Sequence, residues 1–139
     1  MIPSELQRVF RFAPGRVLVL RPDAAFTIVA ASVAYLQTTH TDESIFGRPL
    51  FEVFPDNPAF GAPGAKRLAE SLQRVILTRA PDTMQPTRYD VHAVDGGFEE
   101  RHWLPVNSPV LAADGSVEYI LHSVDDATMA ASQEAVRIL

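Results

Sequence analysis

After Pro81 the spacing of apolar residues changes from a helical repeat to strict alternation, and this change constrains the chain more than any other feature. Upstream, residues 65–78 (AKRLAESLQRVILT) place Leu68, Leu72, Val75 and Ile76 in one stripe, the pattern of a helix with a single buried face. Downstream, TRYDVHAV (87–94), FEERHWLPVNSPV (98–110) and VEYILHSVD (117–125) read as strands, expected over about 87–94, 98–108 and 117–125. Asp95-Gly96 and Asp114-Gly115 separate them, dipeptides that favour short hairpin turns.

The N-terminal half supplies the remaining elements. Residues 4–13 read as a helix, with Ser4 and Gln7 as a capping box, Leu6, Val9, Phe10 and Ala13 on one face, and Pro14-Gly15 as its stop. RVLVLR (16–21) and FTIVAAS (26–32) are β-rich runs around the turn PDAA. Short helices are expected at 33–40 and, capped by Thr41, at 41–47, followed by a single turn at 49–55 and a Pro/Gly loop at 55–64. Two strands, a group of helices and three more strands define an α+β domain: a five-stranded antiparallel sheet with helices on one face.

Register follows from the second turn. A two-residue Asp114-Gly115 loop sets Asn107 opposite His122, Pro105 opposite Val124 and Trp103 near Asp126. For the first hairpin, a three-residue Asp95–Gly97 loop puts Tyr89 on Trp103's side and Val91 opposite Arg101. The face carrying Tyr89, Val91, Trp103, Pro105, Ile120 and Val124 is then the inner one. Arg88, Asp90, His92, Glu100 and His102 face solvent. Leu104, Val106, Tyr119 and Leu121 share that outer face, so the division is not clean. On this reading Asn107 and His122 are polar groups between sheet and helices. They either bond each other or a water, or they contact a ligand; Tyr35 and Tyr89 are the other candidates for the pocket.

Composition narrows the function classes. A formal net charge of −5 argues against nucleic-acid or anionic-membrane surfaces. The absence of cysteine removes disulfides, thiolate nucleophiles and sulfur-ligated metals, and fits a cytoplasmic setting. No apolar run approaches the ~18 residues of a membrane span, and the N-terminus lacks a signal-peptide pattern. His40, His92, His102 and His122 show no metal-ligand spacing. An enzyme reading rests on His122 with Asp125 or Glu100, without a nucleophile at readable spacing.

GRPLFEVFPDNP (47–58), GGFEERHWLPVNSPVLAADGSVEYILHSVDDAT (96–128) and the helix between them resemble PAS domains, of the type found in bacterial two-component sensor histidine kinases. Asp126-Ala127-Thr128 matches the Asp-x-Thr signature at which the last PAS strand hands over to a signalling helix. The resemblance implies one PAS domain over 1–139: a flanking helix at 1–14, a core at 15–126 and a signalling helix at 127–139. It implies a non-catalytic sensor whose exit helix drives an effector, expected to be a kinase domain C-terminal to it. It also implies that polar side chains on the last two strands touch any ligand. A flavin–cysteinyl adduct is excluded because there is no cysteine. Haem is disfavoured because residues 65–78 lack a histidine, although relatives differ in ligand position. The ligand itself stays unknown, and a PAS domain used only for protein assembly is the alternative. Met129, Ser132, Val136 and Leu139 fall at coiled-coil spacing, the mark of an output helix or of a frayed end. Leu6, Val9 and Phe10 are more apolar than a short flanking helix requires, so the helix either covers the outer sheet face or packs on its symmetry mate; a homodimer formed through it, with the exit helix contributing, is expected.

Overall fold

The computed structural model describes residues 4–61 and 63–129. Helix α1 (Ser4–Arg11) precedes strands β1 (Arg16–Leu20) and β2 (Ile28–Ala31). Helix α2 (Val33–Thr38), a 3-10 turn at Glu43–Ile45, α3 (Leu50–Val53) and α4 (Gly64–Thr78) follow. The C-terminal half contains β3 (Asp82–Thr83), β4 (Thr87–Arg88), β5 (Val91–His92), β6 (Phe98–Glu99), β7 (His102–Leu111) and β8 (Val117–Asp126). The main sheet is antiparallel in the order β2-β1-β8-β7-β3, with β4 also on β7, and β5 and β6 form a separate hairpin. The outermost position of the sheet is therefore filled by short pieces.

Two apolar layers result. On the inner face Leu18, Leu20, Ile28, Trp103, Ile120 and Val124 meet Tyr35, Leu50, Leu68, Leu72 and Val75 from the helices. On the outer face Val19, Val29 and Ala30 form a smaller cluster with Tyr119 and Leu121, covered by Phe10 of α1. The expected stripe on α4 is the buried one, except that Ser71 lies within it, fully enclosed, while Ile76 is only partly buried.

The β7–β8 register is the expected one, Asn107 opposite His122 and Trp103 opposite Asp126, but it arises differently. Ala112 N–H bonds Ser116 O and Gly115 N–H bonds Ala112 O, so the loop holds three residues, with Gly115 at φ +85°. A register shift between Val110 and Leu111 offsets the extra residue. The first hairpin departs from expectation. Its loop is Val94–Gly96, and Val91 pairs with Glu99 rather than Arg101, while Thr87 rather than Tyr89 faces Trp103. The displacement is two residues, which preserves which side chains point inward.

Other differences are local. The second strand begins at Ile28 because Asp23 accepts from the Thr27 N–H and hydroxyl, and Phe26 sits at φ 47° in the preceding turn. Asp42, not Thr41, caps the 3-10 turn by accepting from Ser44 N–H, and no α-helix forms over 41–47. The expected strands 87–94 and 98–108 are interrupted at residues 89–90 and 100–101. Asp90, expected in solvent, is buried at this break. Its carboxylate accepts from Arg88 (2.9 and 3.0 Å), Asn57 (3.0 Å) and the Arg101 N–H (3.3 Å). Burial pushes its pKa up, but those donors together hold it below the ordinary carboxylate value. Arg88 also stacks on Phe60, 3.5 Å from the ring centroid, tying the 55–61 loop to the same point.

Both edges of the sheet are interrupted. Gly47 N–H and Arg48 O bond the backbone of Ile28, at the β2 edge. On β7, Pro105 O accepts from Met84 N–H, so the backbone of Pro105 points away from β8, and alternation directs Pro109 the same way.

Replacing Asp90 with Ala should strip three buried or half-buried donors of their shared acceptor and cost about 2–4 kcal/mol. Urea denaturation of the variant checks this; a change under about 0.5 kcal/mol, the scale of ordinary surface substitutions, would refute it.

Candidate functional site: a cavity beneath the helices

A cavity of about 40 Å³ lies between the inner sheet face and the helices. Tyr35, Phe54, Tyr89 and Trp103 supply aromatic walls, Leu50, Leu68, Val91 and Val124 aliphatic ones, and Thr39, Thr87 and His122 the polar ones. The aromatic groups are fixed from behind. Trp103 Nε1 donates to Tyr89 O at 2.8 Å, and the Tyr89 hydroxyl donates to Phe54 O. Tyr35 lies edge-on to Phe54 and to His122, with centroids 5.9 and 6.0 Å away. Burial raises the pKa of both tyrosines, so both are neutral phenols.

Of the four residues singled out in the sequence, Tyr35, Tyr89 and His122 line the cavity. Asn107 stands behind His122, fully enclosed, with its Oδ1 2.7 Å from His122 Nδ1. The mutual bond expected as the alternative to ligand contact is thus present, and only His122 of this pair reaches the cavity. Asn107 Nδ2 donates onward to Ser71 Oγ at 2.9 Å and lies 3.5 Å from Met84 Sδ. Ser71 Oγ donates to Asp82 Oδ2 at 2.5 Å, and Arg74 pairs with Asp82 at 3.0 and 3.2 Å. Hydrogen bonds from Arg74 first, and then Ser71, hold the Asp82 carboxyl below its usual range. Sequence reasoning missed this chain. Ser71 was legible as a hydroxyl inside an apolar stripe, one turn from Leu68 and beside Leu72, but nothing local linked it to Asp82.

The other histidines are elsewhere. His40 pairs with Glu99 at 3.0 Å and His102 with Glu100 at 2.7 Å, and His92 stacks on Phe98 with centroids 4.6 Å apart. Glu100 is therefore engaged at the surface, and Asp125 lies opposite Leu104 on the other side of β8 from His122. The enzyme reading based on His122 with either carboxylate fails on this geometry. Among the described residues no group of three His, Asp or Glu side chains converges as metal ligands.

Asp126, four residues beyond His122 at the end of β8, and Thr128 just past it secure the end of the strand. Thr128 N–H donates to Asp126 Oδ1 at 2.9 Å, and Thr128 Oγ1 accepts from His102 N–H at 3.0 Å. Ala127 N–H bonds His102 O at 2.7 Å, and Arg101 Nε lies 3.7 Å from Asp126 Oδ2. Either Asp126 or Thr128 is expected to cap the exposed N–H groups of the exit helix; Asp126 accepts from the Thr128 N–H, while the Thr128 hydroxyl latches the chain to β7. The exit helix over 127–139, and Ser132, Val136 and Leu139 of its seam, lie outside the described residues beyond Met129. Of the N-terminal trio, Phe10 packs on the sheet, whereas Leu6 and Val9 are 47% and 63% exposed.

An antiparallel sheet whose inner face and helices enclose a small aromatic cavity, with the last strand running from that cavity to a fastened exit, defines a sensor-type α+β domain. The family model described as the PAS fold matches residues 12–132, and the chain belongs to that family. Solved structures agree on the fold. The LOV protein of Rhodobacter sphaeroides superposes with a TM-score of 0.65 at 15% identity, over 90% of this chain and 66% of that one. A sensory box sensor histidine kinase from Vibrio cholerae gives 0.59 at 17% identity, over 88% of each chain. An RNA-binding light-oxygen-voltage receptor gives 0.67 at 20% identity, over 96% of this chain and 36% of that one.

Burial pushes the His122 pKa down from 6.5 to about 4, so the ring is neutral in the fold. A depressed histidine pKa means the unfolded chain binds the proton more readily. Stability should therefore be complete above about pH 6.5 and fall by about 3 kcal/mol as the pH drops to about 4. Asp82, Asp90 and Asp126, all lowered from 3.8, lose their contributions at still lower pH. Urea titrations across pH 7 to 4 should show a slope that His122→Gln removes; an equal slope in both proteins would contradict it.

Proposed function

We propose that the chain is the sensory and dimerising module of a signal-transduction protein, with residues 1–14 as flanking helix, 15–126 as PAS core and 127–139 as signalling helix. The observation that carries this reading is the placement of His122 and Asp126 on one strand, with Thr128 two residues past its end. In this reading a change at the cavity wall is carried along β8 from His122 to Asp126, where the chain leaves the sheet. A sensor histidine kinase is the proposed parent, supported by the likeness to the Vibrio cholerae protein. The site comprises Tyr35, Tyr89 and His122, with Asn107 as support. Ligand chemistry through a cysteine adduct has no residue to use, since the chain contains no cysteine.

The second reading, a PAS domain that works through protein contacts alone, is favoured by the cavity's size. About 40 Å³ is far below the roughly 300–1,000 Å³ of ordinary ligand sites. The two readings separate on denatured purified protein, by mass spectrometry of released small molecules together with a visible absorption scan. A stoichiometric compound supports sensing; a repeated absence, with normal regulation in His122→Ala, supports assembly alone.

Two further outcomes are expected. Leu6 and Val9 form an exposed apolar stripe on α1, so Val9→Asp should convert a dimer to a monomer in sedimentation without unfolding it. An unchanged mass would remove α1 from the interface. Replacing Asp126 and Thr128 together with Ala should cost about 0.5–2 kcal/mol locally and uncouple input from output in the full-length parent. Regulation that survives the double substitution would reject the latch as the signalling joint.

A further inference from the structure

The chain from Arg74 to His122 has a direction. An ionised carboxylate accepts hydrogen bonds and donates none. Asp82, paired with Arg74, therefore accepts a hydrogen bond from the Ser71 hydroxyl, at 2.5 Å. With its hydrogen committed, Ser71 Oγ accepts from Asn107, and Nδ2 is the Asn107 atom that can donate, at 2.9 Å. That orients the amide so that Oδ1 faces His122 Nδ1 at 2.7 Å. A carbonyl oxygen accepts, so Nδ1 carries the imidazole hydrogen and Nε2 carries a lone pair. Among the described residues Nε2 has no protein partner, and it is not among the sealed unpartnered atoms; His122 stands in the cavity wall.

We infer that the Asp82 carboxylate sets the tautomer of His122 through Ser71 and Asn107, so that the cavity presents a hydrogen-bond acceptor and selects an occupant bearing an N–H or O–H donor. The inference rests on the reading of this cavity as the sensing pocket, and it names what that pocket recognises. Ser71, Asn107 and Asp82 are positioning residues, since none of them lines the cavity. The apolar walls call for a small, flat occupant, such as a heteroaromatic ring with one N–H. Size requires the wall to yield, and one part of it is suited to do so. Met84 and Thr87 line both the cavity and a surface cleft of about 350 Å³ on its far side, flanked by Arg67, Glu70 and Arg74. Met84 is unbranched and only partly buried, so a rotation of its side chain joins the two spaces.

Nitrogen NMR of the His122 ring reads the tautomer directly and requires no ligand. The wild type should show hydrogen on Nδ1. Arg74→Gln keeps the carboxylate and should leave the tautomer unchanged at neutral pH. Asp82→Asn offers a donor to Ser71, allows the chain to reverse, and should move the hydrogen to Nε2. Ser71→Ala, read as well in case Asp82→Asn fails to fold, should leave a mixture. Hydrogen on Nε2 in the wild type, or Nδ1 unchanged in both Asp82→Asn and Ser71→Ala, overturns the inference.

Selectivity is tested with pyrrole, which donates an N–H, against furan, a ring of similar size without one. Both are titrated into the wild type and into Met84→Ala, which opens the wall. Pyrrole should bind at least about tenfold more tightly, equivalent to about 1.4 kcal/mol. Equal binding of the two rings overturns the selection of a donor even if the tautomer is as inferred. Uptake of neither ring by Met84→Ala counts against the sensing pocket itself, while the NMR result continues to support the relay.

Discussion

The hydrogen bond between His122 and Asn107 is the interaction on which the inner half of the molecule depends. It joins the two longest strands at their centre, in a place where neither side chain can reach bulk water. Satisfying it requires the β7–β8 register to be correct to the residue, because a slip of one on either strand would turn that strand's polar group outward and bring Ser108 or Ser123 toward the core. It also requires α4 to lie where Ser71 Oγ can accept from Asn107 Nδ2. Sheet register, helix placement and the polarity of the cavity are therefore consequences of one buried polar pair.

Much of this was legible in the sequence for reasons specific to strands. The side-chain repeat of two makes face assignment tolerant of even errors. The first hairpin was displaced by two residues, yet Tyr89, Val91 and Trp103 still came to the inner side. At the second hairpin the loop has one more residue than Asp114-Gly115 alone suggested, and the irregularity at Val110–Leu111 restores the expected pairing. What escaped notice was non-local. β3 is two residues long and exists because Asp82 and Thr83 meet Asn107 and Val106. Asp90 looked like a solvent residue by alternation, but the alternation stops where its carboxylate replaces a backbone acceptor for Arg101. Of the site, the cavity side chains Tyr35, Tyr89 and His122 are legible in the sequence and Met84 is not, since the segment between Pro81 and Pro86 carries no periodic signal; Thr87 shares the inner face of the expected 87–94 strand with Tyr89 and Val91 but has nothing else to mark it.

The two faces of the sheet divide the work differently. The inner face is closed by four helical elements and holds the cavity. The outer face is partly closed by α1, whose Phe10 packs on Val19, Val29 and Ala30. Leu6 and Val9 remain outside that contact. The N-terminal helix thus meets the fold through Gln7, Phe10 and Arg11 and leaves Leu6 and Val9 on its free side.

The prolines of β7 bear on how such a domain survives at high local concentration. Pro105 and Pro109 direct their backbones toward the same edge, where β3 covers only Asn107 and Val106. Beyond that point the strand pairs with β8 alone, and a foreign strand approaching the free edge would meet a ring carbon at Pro109 instead of an N–H. Growth of the sheet by addition of a neighbouring molecule is blocked there by covalent structure, independent of charge, salt or cavity occupancy. Replacing Pro109 with a β-branched residue would be expected to strengthen the strand and, by the same act, to open a seed for fibrillar stacking.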